Sequence, residues 1–297
     1  MDKHPALPPQ FFAHMSSLLH LKEAPAIGEA RDRELLKDAH SYVYYESPQG
    51  PLSAHFFLPP GHNPEASHLN CIVFLHGGLW DASMPTQFVP QCHHFASRGC
   101  VAVTMEYRVF NEHRTNPLEA MEDARMAIGF LKQNAEIIGI DPARIVLVGA
   151  GSGGHLALST ALNNQSSQEG LELQPAAVAA YSAIVDTSAK GVGHELFPSP
   201  KEAKEHSPSS QLPRKDLPPC LLLHGRNDRV APYEQVSKFS KSYRRKGNQC
   251  ELIEFEGAGH TFFNYNTNEQ LYELSLNALD RFLVDLEFLS AEEPLVF

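Results

Sequence analysis

The chain has 297 residues, 42% hydrophobic and 20% charged, and its 24 Lys and Arg against 35 Asp and Glu give a formal net charge of −11. That balance excludes a nucleic-acid or anionic-membrane surface, because the net field repels phosphate and the only basic cluster, Arg244, Arg245 and Lys246, reads as a solvated helix end. No apolar run approaches the ~18 residues of a membrane span, and the stretch around Phe11, Phe12, Leu18 and Leu19 lacks the basic and apolar regions of a signal peptide. The five cysteines, at 71, 92, 100, 220 and 250, are odd in number and scattered, which fits buried free thiols in a reducing, cytoplasmic setting.

After an N-terminal arm (1–39), one α/β domain is expected over 40–290, followed by a short tail (291–297); open α/β sheets reach this length around a single core. Runs at 41–46 and 53–58 bracket the turn-like Ser47-Pro48-Gln49-Gly50-Pro51 and read as an antiparallel hairpin. Apolar or β-branched runs then recur at 71–75, 101–105, 145–148, 178–181, 220–223 and 250–255, alternating with helical patterns. This is the signature of a mostly parallel sheet, about eight strands in all, flanked by helices. The more polar last run suits a sheet edge. Leu118, Met121, Ala124, Ile128 and Leu131 mark an amphipathic crossover helix, which Asp141-Pro142 is expected to stop. The stretch 186–218 is rich in Ser, Pro, Lys and Gly without a clear period, and reads as an irregular cap excursion roofing the site.

Four segments follow strands at the edge where ligands bind in such sheets. In His76-Gly77-Gly78-Leu79-Trp80 the glycines let backbone N–H groups turn toward a substrate, as an oxyanion hole requires. Gly149-Ala150-Gly151-Ser152-Gly153-Gly154-His155 lies between a strand and a helix, the setting of a nucleophile elbow, G-x-S-x-G. Aligned on Gly149 and Gly153, the nucleophile position is Gly151, and the serine falls one place late. Asp228, in His224-Gly225-Arg226-Asn227-Asp228, and His260, in Gly257-Ala258-Gly259-His260, follow in the chain order of an orienting acid and a proton-shuttling base. Adjacent His93 and His94 face different ways on a helix, and HExxH, paired CxxC and a P-loop lysine are all missing.

Together with Pro85-Thr86-Gln87-Phe88 and Glu106-Tyr107-Arg108, these segments resemble the carboxylesterase branch of the α/β-hydrolase fold, the acetyl- and feruloyl-esterase-like proteins related to the hormone-sensitive-lipase esterases. The resemblance runs from about residue 40 to 290. It implies a small-molecule ester substrate, an oxyanion hole drawn from Gly77, Gly78, Leu79 and Ser152, a pocket near His76 and Trp80, and no cofactor. It leaves oligomerisation open.

The departure is at the elbow, where the family pattern G-x-S-[AS]-G-G-H has its serine at the position of Gly151. A natural loss of activity, an engineered Ser→Gly change, and replacement by Ser152 are the competing explanations. Ser152 is the weakest, because one step along a helix turns the side chain by roughly 100° and so away from His260. The expected function is a carboxylesterase scaffold for small acyl esters, impaired or ligand-trapping through Gly151. The alternatives are an inactive pseudoenzyme or ligand-binding module, and a formamidase-like hydrolase sharing the HGG-x-W pattern.

Overall fold

The computed structural model describes residues 27–163 and 172–291. The first 26 residues of the expected arm, with Phe11, Phe12, Leu18 and Leu19, and residues 292–297 of the tail lie outside them.

After helix α1 (Ile27–Leu35), strands β1 (His40–Ser47) and β2 (Gly50–Phe57) form the expected hairpin. There follow β3 (Leu69–Leu75), α2 (Val89–Ser97), β4 (Val101–Met105), α3 (Phe110–His113), α4 (Pro117–Gln133), α5 (Ala135–Ile138), β5 (Ile140–Ala150), α6 (Ser152–Leu162) and β6 (Ala177–Tyr181). The chain continues through α7 (Pro200–Glu205), β7 (Cys220–Gly225), α8 (Tyr233–Arg244), β8 (Cys250–Phe255) and α9 (Glu269–Asp285). The eight strands make one sheet in the order β1-β2-β4-β3-β5-β6-β7-β8, antiparallel from β1 to β4 and parallel from β4 to β8. The polar last strand does lie at an edge.

Period-two alternation divides the core between the two faces of the sheet. Cys71, Val73 and Leu75 of β3, Val101, Val103 and Met105 of β4, and Leu147 of β5 pack into one cluster with α4 and α6. Ile72, Phe74, Ala102, Val146 and Val148 point the other way, into a second cluster with α2 and α9. All five cysteines are free and buried. His94 bonds Asp280 while His93 lies edge-on to Phe57, so the two rings do diverge. No metal-holding group of three or more His, Cys, Asp or Glu occurs among the described residues, and no helix there is long and apolar enough to cross a membrane.

Helix α4 starts as its sequence dictates, with Pro117 in the first turn and Asn116 and Glu119 forming a reciprocal capping box. Its end differs from expectation. The helix stops at Gln133, α5 adds one more turn, and Gly139 (φ 78°) terminates that turn by donating its N–H to Ala135 and Glu136. Asp141 and Pro142 lie within β5 instead, on a part of the strand exposed beyond the core.

Beyond β4 the chain is pinned at three successive residues. Glu106 accepts the Ser53 N–H (2.9 Å), the Tyr107 hydroxyl donates to the His76 carbonyl (2.8 Å), and the Arg108 guanidinium meets Asp123 on α4 at 2.7 Å with both side chains buried. Asp123 also accepts the Arg108 backbone N–H (2.8 Å). Removing one partner of a buried ion pair costs about 3–5 kcal/mol; Arg108 would keep the exposed Glu122 carboxylate at 3.3 Å and Gln49 Oε1 at 3.0 Å, which places the cost at the lower end. Asp123→Ala is therefore expected to lower unfolding stability by about that amount in denaturant titration; a loss below about 1 kcal/mol would show the pair to behave as a surface one.

Candidate functional site

The site forms where four turns meet at the carboxyl ends of β3, β5, β7 and β8. At the end of β5 the chain turns sharply into α6, with Gly151 at φ 52° and ψ −112°. That backbone state is strained for any residue with a side chain. It is held by the Gly151 N–H donating to Tyr181 (3.0 Å) and by the Gly151 carbonyl accepting from His155 and Ile184. The flanking glycines answer to packing: a Cβ on Gly149 would lie 2.1 Å from the Gly153 carbonyl, and one on Gly153 would lie 2.2 Å from the carbonyls of Leu75 and His76. Ser152 is the first residue of α6, so its N–H has no acceptor within its own helix.

The turn after β3 carries φ values of 117°, 55° and 58° at Gly78, Leu79 and Trp80. A Cβ on Gly78 would collide with the Ala82 carbonyl at 2.3 Å, so that position requires glycine. Two side chains not assigned a role from sequence fix this turn. Gln87 Oε1 accepts the Gly77 N–H at 2.7 Å, and the Tyr107 hydroxyl, donating to His76, also lies 3.3 Å from Ser152 Oγ, which donates to it. Gly77 is thereby removed from the expected oxyanion donors, its N–H being already committed, while Gly78, Leu79 and Ser152 keep theirs on the candidate list.

His76 and Trp80 do not line an open pocket, contrary to expectation. His76 is fully buried, stacked on Tyr107 with ring centroids 4.2 Å apart, and donates from Nδ1 to the Gly77 carbonyl. Burial lowers its pKa to about 4, so the ring is neutral. Trp80 is 2% exposed and lies edge-on to His155 at 5.0 Å. Phe197 approaches both rings, and His155 donates to the His206 carbonyl (3.1 Å). Through Phe197 and His206 the 186–218 excursion thus touches Trp80 and His155 beside the turn and the elbow. Leu79, by contrast, is exposed.

The acid and base arrive on the turns after β7 and β8. Gly225 lets these turns touch, since a Cβ there would lie 2.4 Å from the Ala258 carbonyl. Asp228 Oδ1 accepts the N–H groups of Val230 (2.8 Å) and Ala231 (2.9 Å), and Oδ2 accepts His260 Nδ1–H at 2.8 Å. Burial pushes the Asp228 pKa up, but the His260 N–H and the two backbone donors outweigh it and hold the carboxyl below the usual range. His224, made neutral by burial, donates to the Ala231 carbonyl at 2.8 Å and lies 3.4 Å from Asp228. Ser182 (φ 47°), another residue without a sequence signal, donates its hydroxyl to the His260 carbonyl at 2.7 Å and fixes that turn.

With Nδ1–H committed to Asp228, the His260 Nε2 lone pair faces the elbow. A carbon placed where a side chain at 151 would begin lies 3.2 Å from Nε2 and 3.6 Å from Cε1, and beyond its chain neighbours no other described residue comes within 4 Å. Ser152 Oγ, one residue on, is fully buried against Tyr107. The structure therefore brings together Gly151, Asp228, His260 and the Ser152 amide.

The BD-FAE family model matches residues 56–243. Esterase LipC of Mycobacterium tuberculosis is 28% identical over 214 residues, 64% of this chain and 52% of the relative. Isoprenylcysteine alpha-carbonyl methylesterase ICME of Arabidopsis thaliana is 26% identical over 247 residues, 74% of this chain and 56% of the relative. The chain thus spans about half the length of these curated relatives. Among solved structures, apo Thermogutta terrifontis esterase 2 superposes with a TM-score of 0.81 at 32% identity, covering 86% of this chain and 98% of that one. Its propionate- and butyrate-bound forms each give a TM-score of 0.80 at 32% identity, covering 87% of this chain and 98% of theirs. On the family match, which takes in the HGG turn, the elbow and Asp228, and on these superpositions, the chain belongs to the BD-FAE family and has the α/β-hydrolase fold.

Proposed function

We propose that this chain is a carboxylic-ester hydrolase for small, acetyl-like acyl groups in which Gly151 occupies the nucleophile position, so that hydrolysis runs slowly through water. The observation that carries the reading is the direction of the missing side chain. The elbow backbone at Gly151 aims that side chain at His260 Nε2, 3.2 Å from the Cβ position, while Asp228 holds the opposite face of the ring at 2.8 Å. Thermogutta terrifontis esterase 2, recorded with propionate and butyrate, supports a short acyl group.

In this mechanism the ester carbonyl oxygen rests on the Ser152 amide and the amides of Gly78 and Leu79. A water in the space left by the absent hydroxymethyl group donates a hydrogen bond to Nε2. His260 removes its proton as it attacks the carbonyl carbon, Asp228 stabilises the imidazolium, and His260 returns the proton to the leaving alcohol. No acyl-enzyme forms. Absence of a serine nucleophile costs on the order of 10⁶ in kcat, and an oxyanion hole with binding alone leaves ~10³–10⁴ over water.

Gly151→Ser is expected to raise p-nitrophenyl acetate turnover by at least about 10²-fold and to introduce a burst, both absent without the serine. Hydrolysis by the unaltered chain should fall in His260→Ala, stay nearly constant in Ser152→Ala, and give no acylated protein by mass spectrometry. Turnover undiminished in His260→Ala, or fluorophosphonate labelling that disappears in Ser152→Ala, would overturn the mechanism. One observation, Gly151 itself, favours a second reading, ligand binding without turnover; it would be preferred if Gly151→Ser stayed inert while calorimetry detected butyrate binding.

The same substitution has a stability consequence. A side chain in the elbow conformation costs about 1–3 kcal/mol that glycine largely avoids, and the new Cβ would press on the His260 ring at 3.2 Å. Gly151→Ser is therefore expected to melt a few degrees lower by calorimetry; an equal or higher Tm would show the elbow to be unstrained.

A further inference from the structure

The geometry points to a second activity at the elbow that needs no ester: reversible removal of a proton from the carbon next to a ketone carbonyl, with His260 as the base and the elbow and turn amides holding the enolate oxygen.

Base-catalysed enolisation requires an oriented base within reach of a carbon, donors for the oxygen on which charge develops, and no competing nucleophile between them. The space beside Gly151 leaves the base free to meet such a carbon. The Cβ that any other residue would carry there would lie 3.2 Å from Nε2 and 3.6 Å from Cε1, and glycine places no side chain in that position. With a serine at 151, its Cβ and hydroxyl would fill this space and engage Nε2. Glycine frees both. The second requirement falls to the Ser152 N–H, which follows Gly151 directly and opens α6 without an acceptor in its own helix. The amides of Gly78 and Leu79 extend it across the turn that Gln87 and Tyr107 hold against the elbow.

The step balances within the site. The carbon–hydrogen bond breaks, its electron pair moves into the new carbon–carbon double bond, and the carbonyl pair moves onto oxygen as the enolate. Nε2 takes the proton, and the imidazolium is stabilised by Asp228 at 2.8 Å. Return of a proton from Nε2 restores the ketone, and no oxidant or co-reactant is consumed. The His260 side chain is 23% exposed, which gives the proton it holds a route to exchange with solvent. Substrates of this chemistry are small ketones with a hydrogen-bearing carbon beside the carbonyl and an acyl part the size of acetyl. The activity goes beyond ester hydrolysis and survives the failure of that reading.

The test uses 2-pentanone, which has the shape of ethyl acetate with methylene in place of the ester oxygen and cannot be hydrolysed. The unaltered protein in D₂O should exchange its α-hydrogens, followed by proton NMR, at least tenfold faster than buffer. His260→Ala, checked for folding by circular dichroism, should return the rate to that of buffer. Gly151→Ser should lower exchange several-fold, the opposite sign to its expected effect on p-nitrophenyl acetate hydrolysis. Exchange no faster than buffer, exchange that persists in His260→Ala, or exchange undiminished in Gly151→Ser would each overturn the proposal. Hydrolysis of the ester is read separately and decides only the hydrolase reading.

Discussion

The whole site depends on one close approach, the first turn of α6 driven against the ends of β3 and β5. There is no room for a Cβ at Gly149 or Gly153, whose nearest contacts would be backbone carbonyls at 2.1 and 2.2 Å. Because the helix can come this near, its first N–H stands beside the HGG turn, and the Ser152 hydroxyl reaches the same Tyr107 hydroxyl that holds the His76 carbonyl. Backbone donors from two distant stretches of sequence are thus made neighbours by sterics before any side-chain chemistry enters. A residue of any size at 149 or 153 would push the helix outward and separate them.

The His260 ring is oriented by a separate device on the other half of the sheet. Asp228 is saturated with three donors, two backbone N–H groups on one oxygen and the His260 ring on the other, so it stays ionised despite its burial and fixes which ring nitrogen carries the proton. His224, neutral and bonded to the Ala231 carbonyl, fills the remaining space behind the acid without adding charge. Nε2 is therefore a lone pair whatever residue stands at 151. The two devices face each other at Gly151, where a Cβ would lie 3.2 Å from Nε2.

Much of this was legible in the sequence because its physical signals are local. The strands buried on both faces, such as β3 and β4, read as unbroken apolar runs, and the order of the HGG turn, elbow, Asp228 and His260 fixed the site to one edge of the sheet. The start of β5 was not legible, because its exposed polar residues carry no hydrophobic pattern and Asp141-Pro142 resembles a helix stop. The helix ends earlier, at Gln133, and the extra turn α5 is terminated at Gly139 in a left-handed conformation. His76 and Trp80 were misplaced for a related reason: adjacency to the turn does not reveal that positive φ values at Leu79 and Trp80 rotate the indole into the core while leaving Leu79 outside. Gln87, Tyr107 and Ser182 act on backbone groups far away in sequence, at separations set by the crossover connections, and no spacing rule connects them to the site.

The glycine itself has an asymmetric physical meaning. A serine in this elbow must be forced into a backbone state that side chains resist, and the surrounding hydrogen bonds from Tyr181, His155 and Ile184 are the means of forcing it. Those bonds remain around Gly151, although glycine adopts the same state with little penalty. The scaffold thus keeps the full constraint while the strain it opposed is relieved. What changes at the reacting end is the occupant of the space before Nε2. In place of a tethered hydroxyl whose position is set by the chain, the His260 ring faces a backbone that carries no side chain, where a Cβ would lie 3.2 Å from Nε2. On the proposed reading, its partner is selected by ligand shape and by the amides of the turn and elbow, and the reaction follows from what binds there rather than from a covalent nucleophile.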